Sequence, residues 1–450
     1  MTFPAALFPD TTHLTSHNTL SVGGCDLAAL AAEHGTPLYI YDEATILARA
    51  RSFRDAVAAA YPGRAMVCYA AKAYGAPWLL RLLAAEGLGL DVVSGGELHA
   101  AVRADFPRDR IFFHGNNKSE DELLLASDER VGRIVVDNLD EITLLARVAA
   151  KRAARTLVLL RLGPAVDVRT HAHLLTGAED TKFGLDIASG AAEQGVREVL
   201  KWPALELRGF HAHIGSQIRE LEPYRETVER LFAFAADMRE KTGFVAREIS
   251  PGGGYGVRYT MDDPEARPAE MIREVATTVA DTARRHGFAD PLPDLTIEPG
   301  RSIVAPAGVA VYRVGSVKRG TRTYVAVDGG MADNIRPTAY GAKYTAVLAS
   351  RVDGGPLTDV AIAGKYCETG DILIHKVALP LPRVGEIIAV PVSGAYQLSM
   401  ASNYNMAPRP AVVVVRGGRS RLVRRRETFD DLLSSEDLFI AGGEPPAAPL

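Results

Sequence analysis

The strongest constraint on this chain is a rhythm. Short apolar runs rich in β-branched residues, bounded by Gly, Asp or Asn, recur at Met66–Ala70, Leu88–Val93, Ile111–His114, Arg133–Asp137, Thr156–Leu162, Leu207–His213, Arg247–Ser250 and Asp294–Glu298. Between them lie stretches with apolar residues at three- and four-residue intervals, among them Ala76–Glu86, Ser119–Asp128, Leu139–Ala153 and Leu221–Lys241. Strand-length and helix-length patterns in alternation specify parallel strands joined by helical crossovers, and eight such units close a TIM-type (β/α)8 barrel. Ser94 with Glu97, Ser119 with Glu122 and Asn138 with Glu141 have capping-box spacing, which predicts helix starts at those points.

After Arg301 the texture changes. Val309–Val317, Arg322–Val327, Asp359–Ala363, Glu386–Val392 and Ala411–Arg416 are strand-like, broken by Gly and Pro, with little helical periodicity. They predict a mostly antiparallel C-terminal β domain over residues 309–450, behind a barrel at 47–308. Residues 1–46 end in the extended run Pro37–Tyr41, which is expected to pair with that β domain. The tail Gly442–Leu450, rich in Gly, Pro and Ala, reads as mobile. At 450 residues, one small domain is excluded.

Charge and cysteine content narrow the function classes. The net charge of −4 gives no global footprint for nucleic acid or an anionic membrane, and the arginines between Arg416 and Arg426 alternate with Val and Leu like the wet face of a strand. Cys25, Cys68 and Cys367 are too few and too far apart for a disulfide framework or a structural zinc site. Cys25 and Cys68 read as small buried hydrophobes. No positive segment precedes Arg49 and no apolar run approaches a membrane span, so a cytoplasmic, non-membrane protein is expected.

In such a barrel the chemistry sits at the C-terminal ends of the strands. Lys72 follows the first run, Asp91 and Ser94 the second, and Asn116 and Asn117 the third. His211 and His213 end the sixth, Gly252–Gly254 follow the seventh and Glu298 ends the eighth. A lysine at a rigid strand end, an acid across the barrel and a glycine run opening a helix together suit pyridoxal 5′-phosphate. The lysine would form the Schiff base, and the backbone N–H groups of Gly252, Gly253 and Gly254 would bind the phosphate at a helix N-terminus. Glu298 would keep the pyridine nitrogen protonated.

Six ordered segments carry a family resemblance: Tyr69–Ala73, His211–Gln217, Gly252–Gly254, Glu298-Pro299-Gly300-Arg301, Cys367–Asp371 and Gly394–Tyr396. Over nearly the whole chain they resemble the diaminopimelate decarboxylases, fold type III enzymes related to ornithine decarboxylase and, more distantly, to alanine racemase. The resemblance implies Lys72 as the Schiff-base lysine, His213 stacked on the cofactor ring, and Ser216, Gly254 and Tyr396 on the phosphate. It also implies that Arg301, Arg336 and Tyr340 bind substrate carboxylates, that Glu368 receives the distal amino group, and that Cys367 returns a proton to the carbanion. Cys367 would reach the site from the neighbouring subunit of a homodimer. The implied reaction is decarboxylation of meso-2,6-diaminopimelate to L-lysine, the last step of lysine biosynthesis, with no metal.

Three other readings compete. His211-x-His213 at a strand end invites a metal-dependent barrel hydrolase, but that leaves Lys72, the glycine run and Glu298 without a role. His171 and His173, in a polar insertion, read as solvated loop. A decarboxylase of ornithine, lysine or arginine is the nearer alternative; Cys367-Glu368 argues against it, because ornithine-type relatives tend to carry Cys-Asp there. A non-catalytic regulator on the same fold, as the antizyme inhibitors are, is disfavoured by Lys72 and Cys367.

Overall fold

A computed structural model of the chain describes residues 3–153, 155–166, 182–352 and 355–436. His171, His173 and the Gly442–Leu450 tail lie outside the described residues.

Each of the eight apolar runs is a strand: β1 (Ala65–Ala70), β2 (Gly89–Val92), β3 (Ile111–Phe113), β4 (Arg133–Val136), β5 (Thr156–Gly163), β6 (Leu205–His211), β7 (Glu248–Gly253) and β8 (Asp294–Glu298). Every neighbouring pair is parallel, and β8 closes the ring by pairing Leu295, Thr296 and Ile297 with Ala65, Met66 and Val67. The helices form where the periodicity places them. In Leu139–Lys151, Ile142, Leu145, Ala146 and Ala149 turn one apolar stripe inward while Asp140 and Lys151 complement the helix dipole.

The caps differ in detail from the expected boxes. Ser94, Ser119 and Asn138 each accept a bond from the backbone N–H three residues on. Only Glu122 reaches back to its own N-cap, Ser119. Glu97 and Glu141 reach one residue further, to the N–H groups of Val93 and Asp137 at the strand ends. Those two carboxylates thus tie each helix start to the preceding strand.

The second body is a sheet ordered Ile372–Pro380, Leu357–Ala363, Thr323–Val327, Gly308–Lys318, Leu38–Asp42, Ala411–Arg416 and Arg419–Arg424. It is antiparallel except at two contacts, Thr323–Val327 beside Leu357–Ala363 and Leu38–Asp42 beside Ala411–Arg416. The N-terminal strand Leu38–Asp42 is wholly buried and central, paired on its other side with Gly308–Val311. Arg421 and Leu422 lie exposed on the edge strand. Ile372–Pro380 was not anticipated from the sequence, because bulges in its pairing break the alternation that would have marked it.

The β domain meets the barrel where a side chain would not fit. A Cβ on Gly394 would fall 1.8 Å from the carbonyl oxygen of Val304. That approach brings Tyr396 over the barrel mouth, where its N–H donates to the carbonyl of Ala73 at 2.9 Å. No helix among the described residues is long and apolar enough to cross a membrane.

Candidate active site

A cavity of about 440 Å³ opens at the C-terminal ends of the barrel strands, lined by both domains. Lys72 enters it from the turn Ala71–Ala73 directly after β1, and Asp91, His213, Ser216, Gly254, Glu298, Gly300, Arg301, Arg336, Tyr340 and Tyr396 share its wall. Pro299 precedes the wall at Gly300, and its carbonyl accepts from Ala70 N–H at the end of β1. Cys367 and Glu368 do not line the cavity; both are exposed on the surface, on a turn beside the Arg336–Tyr340 helix.

At the floor, Glu298 accepts hydrogen bonds at 3.0 Å from His211 Nε2 and at 2.8 Å from Ser250 Oγ. Burial alone would push this carboxyl up, but His211 and His114 beside it win and hold it well below the usual carboxylate range. Asp91 behaves oppositely: burial, and then the negative charge of Glu298, pushes it up to about 8. One acid is therefore ionised and its neighbour protonated at neutral pH. His114 Nε2 lies between the two, 3.7 Å from Asp91 and 3.8 Å from Glu298, too far to hydrogen-bond either.

His213 Nδ1 accepts the N–H of Gly253 at 3.2 Å, which places the ring proton on Nε2. Burial, with the charges of Lys72 and Arg161, holds this imidazole well below its ordinary pKa, so it is neutral. On the opposite wall, Arg301 donates to Tyr259 Oη at 2.6 Å and to Ser216 Oγ at 3.0 Å, while its guanidinium stacks 4.6 Å from the Tyr396 ring. Arg336 donates to the same Tyr259 oxygen at 3.0 Å and also to Tyr344 Oη. Two cations on one phenol lower the Tyr259 pKa against the effect of burial.

The glycine run corrects the expectation built on it. Gly252 and Gly253 belong to β7 itself, and the next helix begins only at Pro268, so the run opens no helix. The N–H groups of Gly252 and Gly253 already donate to Ser250 Oγ and His213 Nδ1. These positions are glycine for space and for backbone conformation: a Cβ on Gly252 would fall 2.4 Å from Ala212 O and one on Gly254 2.3 Å from Gly215 O, and both have positive φ, +78° and +101°. Gly254 and Gly300 remain as bare backbone on the cavity wall.

The metal alternative loses its pair. His211 is bound to Glu298 and His213 to Gly253, and the histidines that do converge are His114 and His211, with Glu298, within 4.8 Å. The sequence reading missed His114, Arg161, Tyr259 and Tyr344. Arg161 carried a usable signal, a lone cation at an inward position of the apolar run Thr156–Leu162; its guanidinium stacks 4.3 Å from the Phe183 ring and lies 3.7 Å from Asp137.

The cavity fits pyridoxal 5′-phosphate on its own chemistry. It offers a lysine at a rigid strand end, an ionised carboxylate at the floor, a neutral flat imidazole between them, and bare glycine backbone with Ser216 at the rim. Asp91 Oδ1, His114 Nε2, His211 Nδ1 and Arg301 Nε are buried without a hydrogen-bond partner among the described residues, which marks a polar site built to receive something.

Comparison with known proteins bears on the same point. Residues 43–305 match the family model of the pyridoxal-dependent decarboxylase pyridoxal-binding domain. The chain is similar to the diaminopimelate decarboxylase of Bacillus subtilis, 45% identical over 434 residues that cover 96% of this chain and 98% of the relative. It is also similar to the diaminopimelate decarboxylase of Bacillus methanolicus, at 42% identity over 93% of this chain and 97% of that one. Among solved structures, the M. jannaschii diaminopimelate decarboxylase in complex with L-lysine superposes with a TM-score of 0.88 at 31% identity, over 95% of this chain and 98% of that one.

Proposed function

The chain belongs to the diaminopimelate decarboxylase family of pyridoxal-dependent decarboxylases, and from that premise we propose that its cavity converts meso-2,6-diaminopimelate to L-lysine and CO2, the last step of lysine biosynthesis. The observation that carries the reading is one cavity in which Lys72 and ionised Glu298 face two buried guanidiniums, those of Arg301 and Arg336.

Pyridoxal 5′-phosphate, when bound, supplies a carbonyl that takes up an amine and a protonated ring that accepts the electron pair of the breaking C–CO2 bond. Lys72, on the cavity wall at the end of β1, would be the residue that holds the group covalently. Glu298, kept ionised beside His211, would hold the ring nitrogen and favour its protonated form. Neutral His213 offers a flat face to the ring without adding a second cation beside Lys72. Asp91, pushed up to about 8, carries a proton next to the Lys72 amine at neutral pH. Ser216, Gly254, Gly300 and Tyr396 would hold the phosphate, while Gly252, Gly253 and Pro299 would shape the wall behind it. Arg301 and Arg336 hold carboxylates, with Tyr340 at the cavity mouth.

Cys367 and Glu368 are exposed in the single chain, which supports a homodimer in which the partner subunit's Cys367 and the partner subunit's Glu368 complete each cavity. The enzyme is proposed to work in the cytoplasm. Product identification after incubating the cofactor-loaded protein with meso-diaminopimelate, L-ornithine, L-lysine and L-arginine tests the reading. L-Lysine from diaminopimelate is the expected result, and faster decarboxylation of ornithine would overturn it.

A further inference from the structure

The turn that carries Cys367 and the loop that leads to Arg336 meet at one buried carboxylate, that of Asp371, which is 3% exposed. Its Oδ1 accepts the N–H of Met331 at 2.7 Å, and its Oδ2 accepts the N–H of Tyr366 at 2.9 Å. Met331 lies five residues before Arg336, and Tyr366 immediately precedes Cys367. Both loops close on the carboxylate through glycine. A Cβ on Gly330 would fall 2.5 Å from Oδ1, and one on Gly364 2.1 Å from Oδ2. A further bond links the same two segments, from Thr338 Oγ1 to the carbonyl of Gly370 at 3.0 Å. Cys367 is held from the other side by its N–H bond to Asn405 Oδ1 at 2.9 Å.

We propose that Asp371 is a positioning residue that sets Arg336 for its own chain's active site and the Cys367–Glu368 turn for the partner's, so that one carboxylate couples the two sites of the dimer. The inference rests on the shared-site reading given above. Its chemistry is that of a two-pronged acceptor: each oxygen holds one loop by a charge-assisted bond, and neither loop can shift without dragging the other. Asp371→Asn keeps the side chain's shape but turns one acceptor into a donor facing an N–H, which breaks one prong, and removes the charge that strengthens the other, so both loops loosen.

Hybrid dimers separate the two effects. Each hybrid contains one Lys72→Ala barrel, so only one site works, and the Lys72→Ala/wild-type hybrid sets the reference. In the first hybrid the working barrel carries Asp371→Asn while the turn comes from the Lys72→Ala chain; about a tenfold rise in KM for diaminopimelate is expected, with kcat near the reference. In the second, Lys72→Ala and Asp371→Asn share one chain and the working barrel is wild type; about a tenfold fall in kcat is expected here and not in the first hybrid, with a rise in KM beside it because the displaced turn also carries Glu368. Gly364→Ala, which displaces the same carboxylate without removing it, should reproduce both patterns and guards against a folding defect peculiar to Asp371→Asn. A defect in only one hybrid, equal losses in KM and kcat in both, or reference values in both would overturn the coupling. A Lys72→Ala/Cys367→Ala hybrid tests the premise separately: it should regain up to half the wild-type activity, and if it stays inactive the shared site fails first and the coupling with it.

Discussion

Replacing Arg336 by Met should cost the enzyme its preference for a substrate with a second carboxylate. A buried guanidinium with no partner would penalise a simple diamino acid by several kcal/mol, and the sequence alone suggests a penalty of that size. The structure lowers it, because Arg336 keeps Tyr259 Oη at 3.0 Å and Tyr344 Oη even without substrate. What a carboxylate adds is then one charge-assisted interaction to an already satisfied cation, about 1.5–3 kcal/mol, or about 10- to 150-fold in kcat/KM. The assay is kcat/KM for diaminopimelate relative to L-ornithine in wild type and in Arg336→Met. The wild-type ratio should fall within or above that range, since Arg301 adds its own share, and the substitution should shrink it by about 10- to 150-fold, mostly through a higher KM for diaminopimelate. A ratio unchanged within threefold would refute the assignment of Arg336 to the substrate.

Lys72→Ala should abolish the borohydride-reducible cofactor adduct seen by mass spectrometry, and an adduct persisting on another lysine would contradict the assignment. Glu298→Gln should leave the cofactor bound but slow turnover by about 100-fold or more, because an amide does not retain the proton on the ring nitrogen; wild-type turnover would show that the carboxylate is not needed there. In the cofactor-free protein Asp91 titrates at about 8, above its unfolded value, so it favours the fold at low pH and loses that contribution as pH rises towards 8. Asp91→Asn, neutral throughout, should therefore gain in melting temperature relative to wild type between pH 4 and pH 8, and a constant difference would refute the raised value. Lys118→Met removes the partner of Glu141 at 2.6 Å in a buried pair and should cost about 3–5 kcal/mol in urea unfolding; a loss below about 1 kcal/mol would show that Glu141 finds compensation.

The barrel was legible because its signal is local: each strand is a short apolar run and each helix a 3.6-residue period, and neither depends on distant residues. The strand-end rule then placed Lys72, Asp91, His213 and Glu298 together. What stayed hidden depends on approach between distant segments. Nothing in the sequence singles out Tyr259 and Tyr344; their role emerges only where the fold brings Arg336 against them, 77 and 8 positions away respectively. The glycine run was read as a helix-opening phosphate loop, since consecutive glycines look alike whether they free N–H groups or make room. Only the carbonyls of Ala212 and Gly215 beside Gly252 and Gly254 decide between those causes. Asn138–Glu141 spacing marks Glu141 as a capping acid but gives no sign of Lys118, and the bond between Lys118 and Glu141 removes both from water.

The central place of Leu38–Asp42 in the C-terminal sheet has a consequence during synthesis. This apolar strand leaves the ribosome before any of the barrel strands, yet its partners Gly308–Val311 and Ala411–Val415 follow only after the whole barrel has been made. At about 5–20 residues per second the segment waits on the order of 15–55 s with both hydrogen-bonding edges open, and about 20–75 s before its second partner exists. Nascent chains of this protein are thus candidates for chaperone capture at their leading end, and a ribosome stalled after the barrel would expose a sticky ribbon rather than a finished half. For the same reason the C-terminal segment expressed by itself would lack the middle strand of its own sheet, and adding a peptide spanning Leu38–Asp42 is the natural way to rescue it.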